Sequence, residues 1–588
     1  MLLYDSNNAL ILNTTTTSDK TRIAILGGGP SGLFMFKRLI ESGNLELEID
    51  IFERKNILGA GMPYSKDGAN DEHITNVSGN EIPELVTSIS EWIKTISKDT
   101  VDHFNIDPQK FNDYKVLPRL LFGQYLNDQF NMLIKLAKEI GIATQVHFNS
   151  RVTDIIDDPH HSVVVVEIND EIKFTYDHVI ICTGHNWPVT HEGEIVGYFD
   201  SPYPPSKIAF QANHSVAIKG SSLTAIDAIR TLARKNGSFS IDSSGRVSFK
   251  VAEDSPNFKI IMHSRNGMLP AIRFHLEDSH LLKDSILSKE ELAANREANE
   301  GFLSLDYVFE QNFKRMIKAK EPEFYSRIED MKMEEFVELM MELRERLDPF
   351  QLFQAEYIEA EQSIKRKESV YWKEMLAVLS FAMNYPAKYF SAEDMQRLQK
   401  VLMPLISIVI AFVPQSSVVE MLALHEAGLL EMVSVGDDSS VEPLEEGGII
   451  YHYKGEDGGD KSERFKTFVD CVGQPHLNYE DLPYKSLVEN KTVSPAKIWF
   501  RNNANAEKAL DSNGKNIGKD TFGNFFLRVP GITINDNFQA VDEYGALNER
   551  LYVMAVPYIG GYNPDYSGLD FCEAASASIS KSIIKQHV

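Results

Sequence analysis

Residues 23–53 read IAILGGGPSGLFMFKRLIESGNLELEIDIFE, and the rest of the chain is organised around them. Ile23 to Leu26 form a short apolar run, the mark of a strand buried on both faces. Gly27, Gly29 and Gly32 then give G-x-G-x-x-G, with Pro30 and Ser31 inside it. Leu33, Phe36, Leu39 and Ile40 recur at helical spacing, and a second apolar strand, Ile49 to Phe52, ends at Glu53. Strand, glycine turn, helix, strand and acid in this order predict a dinucleotide-binding βαβ unit. Gly27 allows the tight turn, Gly29 lets the backbone approach a pyrophosphate, and Gly32 lets the helix pack on its strand. The helix N-terminus offers free N–H groups and a positive dipole end to the phosphates. Glu53 can accept hydrogen bonds from a ribose diol, and its charge disfavours a 2′-phosphate there.

At 588 residues the chain predicts two or three domains. A formal net charge of −26 argues against general nucleic-acid binding and against adhesion to anionic membranes. It also requires local basic residues wherever an anionic cofactor binds. Cys182, Cys471 and Cys572 are far apart, and no C-x-x-C occurs. This excludes the usual disulfide-reductase motif and a cysteine-rich zinc module, and it fits a reducing, cytoplasmic location. No metal-ligand cluster is expected. The N-terminus lacks a basic n-region, so a signal peptide is not expected. The longest apolar run, Leu402 to Val413, contains Pro404 and is too short to span a bilayer.

Along the chain, residues 1–20 read as a flexible tail. A helix is expected from Arg119 to Gly141, followed by a meander of strands at 144–148, 152–156, 162–168 and 172–176. A buried strand, Asp177 to Thr183, ends at Gly184. A second nucleotide-binding unit begins at Ser215, with a strand to Lys219, the turn Gly220, Ser221, Ser222 and Thr224, and a helix to Lys235. The glycine spacing is degraded to Gly220, Ser222 and Ala225, so an ordinary βα turn is the alternative. The next strand, Lys259 to His263, leads to Ser264 and Arg265. Arg265 stands where the acid stands in the first unit, which suits the 2′-phosphate of NADPH, unless it is a solvated surface arginine. Residues 277–435 read as a helical insertion, with Met333, Phe336, Val337, Met340 and Leu343 at helical spacing. A hairpin of Ile449 to Tyr453 with Phe465 to Val469 follows. TFVDCVGQP then repeats the pattern of VIICTGHNWP: apolar strand, glycine, proline. Near the C-terminus a helix begins at Leu569 behind Gly568, whose free N–H groups suit the polar edge of a flavin ring; a plain glycine loop is the alternative.

Two such units resemble the flavoproteins with two dinucleotide domains, FAD in the first and NAD(P)H in the second. The details are similar to flavin-containing and N-hydroxylating monooxygenases, and closer still to bacterial FAD/NAD(P)-binding proteins. The carrying stretches are GGGPSG (27–32), FERKNILGAGMPY (52–64), TNVSGNEIP (75–83), LPRLLFGQYL (117–126), CTGHNWP (182–188), SRNGMLP (264–270) and SGLDFCEAA (567–575). The resemblance implies an α/β fold with two Rossmann-like domains and a helical insertion. The FAD domain would comprise 21–205 and 476–588, and the NAD(P)H domain 206–276 and 436–475. It implies Arg54, Met62, Arg119, Gln124, Val152, Thr183 and Leu569 as further cofactor contacts. Asn76 matches the asparagine beside the flavin, although a simple turn residue is the alternative there. Departures are the loss of the middle glycine to Ser222 and the absence of a full Baeyer–Villiger signature; His185 and Trp187 lie near Gly184 without its spacing. The implied activity is NADPH-dependent monooxygenation through a flavin C4a-hydroperoxide, with O₂ and a small nucleophilic substrate, an amine or amino acid. An NAD(P)H oxidase or dehydrogenase, or a non-catalytic nucleotide-binding interaction protein, are the alternatives. A homo-oligomer is compatible with the sequence.

Overall fold

The computed structural model describes residues 2–4, 10–12, 20–184, 187–276, 286–384, 386–455, 457–474, 476–511, 514, 516–564 and 568–585. The opening unit consists of Thr21–Leu26 (β1), Pro30–Glu41 (α1), Leu47–Phe52 (β2), Arg119–Ile140 (α2), Ala143–His147 (β3) and His178–Ile181 (β4). Its strands are parallel in the order β4-β1-β2-β3. Ile23, Ala24, Ile25 and Leu26 are fully buried, as a strand covered on both faces requires. The second unit consists of Ser215–Lys219 (β5), Leu223–Asn236 (α3), Lys259–Ser264 (β6), Gln415–Glu426 (α4), Leu430–Ser434 (β7) and Thr467–Asp470 (β8). It is again parallel, in the order β8-β5-β6-β7. The chain then returns to the first sheet. Leu547–Val553 (β9) pairs with β4, and Leu569–Lys585 (α5) packs on α1, where Glu573 takes Lys37 and Arg38. The fold is thus α/β, with two parallel-sheet units and a helical body between β6 and α4.

That body, from Lys289–Ala298 to Met403–Val409, is narrower than the expected 277–435. The helix α4 buries Val418, Met421 and Leu424 in the core of the second unit, and β7 pairs along β6. Both complete a βαβ crossover, so the helices are inserted into that crossover rather than beside it. Residues 277–285 lie outside the described residues. Two other expectations change. The strand at 143–147 extends the parallel sheet through β2, leaving Val152–Asp158, Val163–Ile168 and Ile172–Tyr176 as the meander. The hairpin partner of Ile449–Lys454 is Asp460–Phe465, since β8 is drawn into the parallel sheet by β5. Within the expected tail, Leu2–Tyr4 and Leu10–Leu12 form strands, the second alongside Ile172–Lys173; the rest of 1–19 is outside the described residues.

A buried polar seam joins the two units. Arg119 pairs with Asp227 of α3, which also accepts from the Tyr203 hydroxyl at 2.7 Å. Burial alone would raise the Asp227 carboxyl, but Arg119, His73 and Tyr203 outweigh it and hold it below the usual range. His73 is fully buried; its Nδ1 accepts from the Asn70 N–H at 3.1 Å, so Nε2 carries the proton toward Thr231 Oγ1 (3.1 Å) and the Asp227 carbonyl (3.2 Å). Nearby, Arg273 pairs with Glu81 and donates to Ser78 Oγ and the Asn76 carbonyl.

Candidate cofactor-binding and active site

The glycine turn between β1 and α1 opens on a cavity of about 690 Å³. Gly27 has φ +109°, and a Cβ there would stand 2.8 Å from the Cys182 carbonyl oxygen, so only glycine allows β1 and β4 to end side by side. A Cβ on Gly29 would meet the Gly61 Cα at 3.3 Å, because the loop after β2 folds across the turn. No side chain caps α1, so its first N–H groups are left for a ligand. Glu53 accepts from the Gly28 and Lys55 N–H groups, both at 2.9 Å, one to each carboxylate oxygen. Each oxygen retains a lone pair for a hydroxyl.

Gly27, Gly29, Pro30, Ser31, Glu53, Arg54, Met62, Val152, Thr183, Gly184, Gly568 and Leu569 all line this one cavity. They come from five separate segments, converging where the strands end. Arg54, Lys55 and Arg151 line the cavity together with the acids Glu53 and Asp170; Lys55 is paired with Asp67 and Arg151 with Asp170. Gly32 stands behind it: a Cβ there would lie 2.1 Å from the Gly27 carbonyl oxygen, so it sets how closely α1 approaches the turn. An uncapped helix end, a turn that excludes a Cβ, a carboxylate with free lone pairs and nearby cations fit a dinucleotide diphosphate.

Other expected residues are placed elsewhere. Arg119 does not line the cavity; its guanidinium is held by Asp227 and the Ile74 carbonyl, because a buried acid outcompetes a polar ligand for it. Gln124 is exposed, on the solvent side of α2, while Leu121, Phe122, Tyr125 and Leu126 turn inward. Asn76 lies on the short strand Ile74–Ser78 in the seam, outside the cavity lining, its carbonyl tied to Arg273. His185 is outside the described residues.

Tertiary structure adds groups that were not singled out as site residues from the sequence. Tyr64, Tyr484 and Tyr558 form an apolar and hydroxylic wall, and Tyr484 donates to Thr183 Oγ1 at 3.1 Å. Burial pushes the Tyr64 and Tyr558 phenols up to about 12. Cys182 and Cys572 face the same cavity, Cys572 Sγ lying 3.5 Å from Ser31 Oγ. Burial raises both thiols, Cys572 to about 11, so neither is a thiolate nucleophile at neutral pH.

The second unit repeats the first in detail. Gly220 has φ +109°, and a Cβ there would stand 2.8 Å from the Cys471 carbonyl oxygen, as for Gly27 and Cys182. Ser222 is the exposed, uncapped start of α3, and Thr224 Oγ1 lies 3.9 Å from where a Gly473 Cβ would be. Ser221 and Ser264 bond to one another at 3.1 Å, and Ser221 also donates to the Met268 carbonyl, so these hydroxyls brace the loop. Arg265 is exposed at the end of β6 and lies 3.5 Å from Asp437. Among the described residues, no group of three His, Cys, Asp or Glu side chains is placed to hold a metal, and no helix is long and apolar enough to cross a membrane.

Comparison with known proteins agrees with this architecture. A family model described as FAD-NAD(P)-binding matches residues 24–186, and one described as YdhS-like middle domain matches 288–410. The second match coincides with the helical body between β6 and α4. Flavin-containing monooxygenase 5 of Cavia porcellus is 27% identical over 176 residues, 28% of each chain. The solved ornithine N-hydroxylase of Kutzneria sp. 744 is 13% identical and covers 97% of this chain and 100% of its own, with a TM-score of 0.46. The uncharacterized protein YdhS of Escherichia coli (strain K12) is 30% identical over 474 residues, covering 80% of this chain and 86% of its own. The chain therefore belongs to the YdhS family, an FAD/NAD(P)-binding flavoprotein with a helical middle domain.

Proposed function

We propose that the protein is an NADPH-dependent flavin monooxygenase that oxygenates a small nucleophilic substrate at an amine nitrogen. The observation that carries this is the pairing of two like-built glycine turns, at Gly27 and Gly220, in a chain that has no C-x-x-C. That arrangement supports two nucleotides and no dithiol relay. The partial likeness to flavin-containing monooxygenase 5 supports the same class. Bound FAD supplies hydride acceptance and reactivity toward O₂. The chain's own task is then to bind and to shield. Gly27, Gly29 and the α1 N-terminus hold the diphosphate, Glu53 holds the ribose, and Tyr64, Tyr484 and Tyr558 keep water from the inner wall. Gly220, Ser222 and Thr224 seat the second nucleotide, with Arg265 at its 2′-phosphate.

Arg265→Ala tests the last assignment. An exposed pair such as Arg265–Asp437 is worth ~0–1 kcal/mol, whereas a hydrogen bond to a charged phosphate is worth ~1.5–3 kcal/mol, so the phosphate displaces Asp437. The variant is expected to raise the KM for NADPH roughly tenfold or more and to leave NADH little changed. An unchanged NADPH-to-NADH ratio removes Arg265 from that role.

One observation favours a second reading, an NAD(P)H oxidase or dehydrogenase. Asn76 is not among the residues that line the cavity, and its main-chain carbonyl accepts from Arg273. Stopped-flow spectroscopy separates the two readings. The protein is reduced anaerobically with NADPH and mixed with O₂ in the presence of a panel of primary amines. An oxygen-dependent flavin transient whose decay an amine accelerates supports the monooxygenase. Direct return to oxidised flavin with stoichiometric peroxide for every amine supports the oxidase.

A further inference from the structure

The loop that leaves β6, from Ser264 to Pro270, is fastened to two different parts of the molecule. Lys219 pairs with His263 as Leu26 pairs with Phe52, so this loop starts at the level where the loop after β2 starts in the first unit. Ser221, in the second glycine turn, donates to the Met268 carbonyl at 2.7 Å. The next carbonyl, of Leu269, goes to the helical body, where Arg344 Nη1 donates to it at 3.1 Å. Arg344 is buried on the helix Met333–Arg346. Its Nη2 pairs with Glu356 of the helix Pro349–Arg366, and Lys373 of the helix Tyr371–Met383 donates to the same Glu356 oxygen at 3.0 Å. Burial alone would raise the Glu356 carboxyl, but Lys373 and Arg344 outweigh it and hold it below the usual range. Three successive helices of the body thus each supply one charge behind a single carbonyl of the loop. The space left among Met268, Leu269, Arg344 and Glu356 is about 10 Å³, the lower limit for one water, so the loop has little room to shift there. Arg265 is different. It is exposed, and its pair with the exposed Asp437 is weak, so the loop backbone sets where its guanidinium stands.

We propose that Arg344 is a positioning residue for the second nucleotide: through it the helical body fixes the loop that carries Arg265 and strengthens selection of NADPH over NADH. The inference rests on the assignment of Arg265 to the 2′-phosphate. Arg344 is buried behind the loop and acts through it. With the Met268 and Leu269 carbonyls both held, the loop is ordered before the coenzyme arrives. The phosphate contact is then not offset by the entropy of ordering the segment that makes it. NADH has no 2′-phosphate and gains little from the same order. The helical body thereby contributes to coenzyme choice from outside the nucleotide-binding turn.

The test is a double-mutant cycle of Arg344→Met with Arg265→Ala on the FAD-loaded holoprotein, reading the KM for NADPH and for NADH. Methionine keeps most of the buried length of the arginine, and Lys373 stays with Glu356, so no carboxylate is left without a counter-charge. Arg344→Met should raise the KM for NADPH roughly fivefold and change that for NADH by less than about twofold. In the Arg265→Ala background it should add little, because the group it positions is already gone. Arg344→Lys keeps the charge toward Glu356 but lacks the fork that reaches Glu356 and the Leu269 carbonyl together, so it should show the same pattern more weakly. If Arg344→Met yields no holoprotein, the cycle is read on Arg344→Lys. An unchanged KM for NADPH overturns the inference. So does an equal rise for both coenzymes, or the same rise with and without Arg265, since a general loss of structure would give either. An Arg265→Ala protein with an unchanged NADPH-to-NADH ratio overturns the phosphate assignment instead, and the inference with it.

Discussion

Gly32→Ala is expected to give colourless protein. A methyl at this position would stand 2.1 Å from the carbonyl oxygen of Gly27, a backbone atom with no freedom to turn aside. The helix α1 would have to withdraw from β1, and with it the uncapped N–H groups that face the cavity. Overpacking of this kind costs ~1–3 kcal/mol in stability, but the larger loss falls on the ligand, because the diphosphate cradle consists of the turn being displaced. The second unit supplies the control. Its corresponding residue is Ala225, a real methyl and fully buried, so α3 already stands clear of its turn. Ala225→Gly should leave FAD content unchanged. The measurement is the flavin-to-protein absorbance ratio after reconstitution with excess FAD. A fully yellow Gly32→Ala protein would refute the assignment of this turn.

The second large effect is expected at the seam. Asp227→Ala leaves the Arg119 guanidinium buried without its counter-charge and removes the acceptor of the Tyr203 hydroxyl. Breaking a buried pair from one side typically costs ~3–5 kcal/mol, whereas replacing both partners by apolar residues costs far less. Urea denaturation should therefore show a large fall in midpoint for Asp227→Ala and a substantial recovery in Arg119→Met/Asp227→Leu. Equal losses in the two proteins would mean that the pair is not what holds the seam. The pH dependence follows from the same groups. Asp227 and Glu81 are held below the usual carboxylate range, so their contribution is complete above it and is lost as pH falls through their lower folded values. Burial, with Arg119, lowers His73 from its ordinary 6.5, so the folded protein keeps it neutral where the unfolded chain takes a proton. Its contribution is present above pH 6.5 and declines below it, so the denaturation midpoint should begin to fall there.

Much of the first unit was legible because its signals are local. The spacing of Gly27, Gly29 and Gly32 encodes a turn whose geometry depends on missing side chains, and such a turn is formed by neighbours in sequence. The echo between Cys182–Gly184 and Cys471–Gly473 was legible for the same reason, and it proved to be the same contact made twice, a cysteine carbonyl against a left-handed glycine. Boundaries were less legible. The helix at 415–426 and the strand at 430–434 have the composition of the inserted helices before them, and only pairing with β6 assigns them to the second unit.

By itself, then, the sequence determined the α/β class, two nucleotide units, a helical insertion within the second and the glycine turn that opens on the cavity, because period, glycine spacing and strand ends act over a few residues. Only the tertiary structure decided what long-range partners claim. Arg119 goes to Asp227, 108 positions away, and the Asn76 main-chain carbonyl accepts from Arg273, 197 away; neither residue lines the cavity. Tyr64, Tyr484 and Tyr558 do reach it, from segments that sequence alone does not bring together. A side chain's role is set by the nearest group able to satisfy it, and that group is known only once the chain has folded.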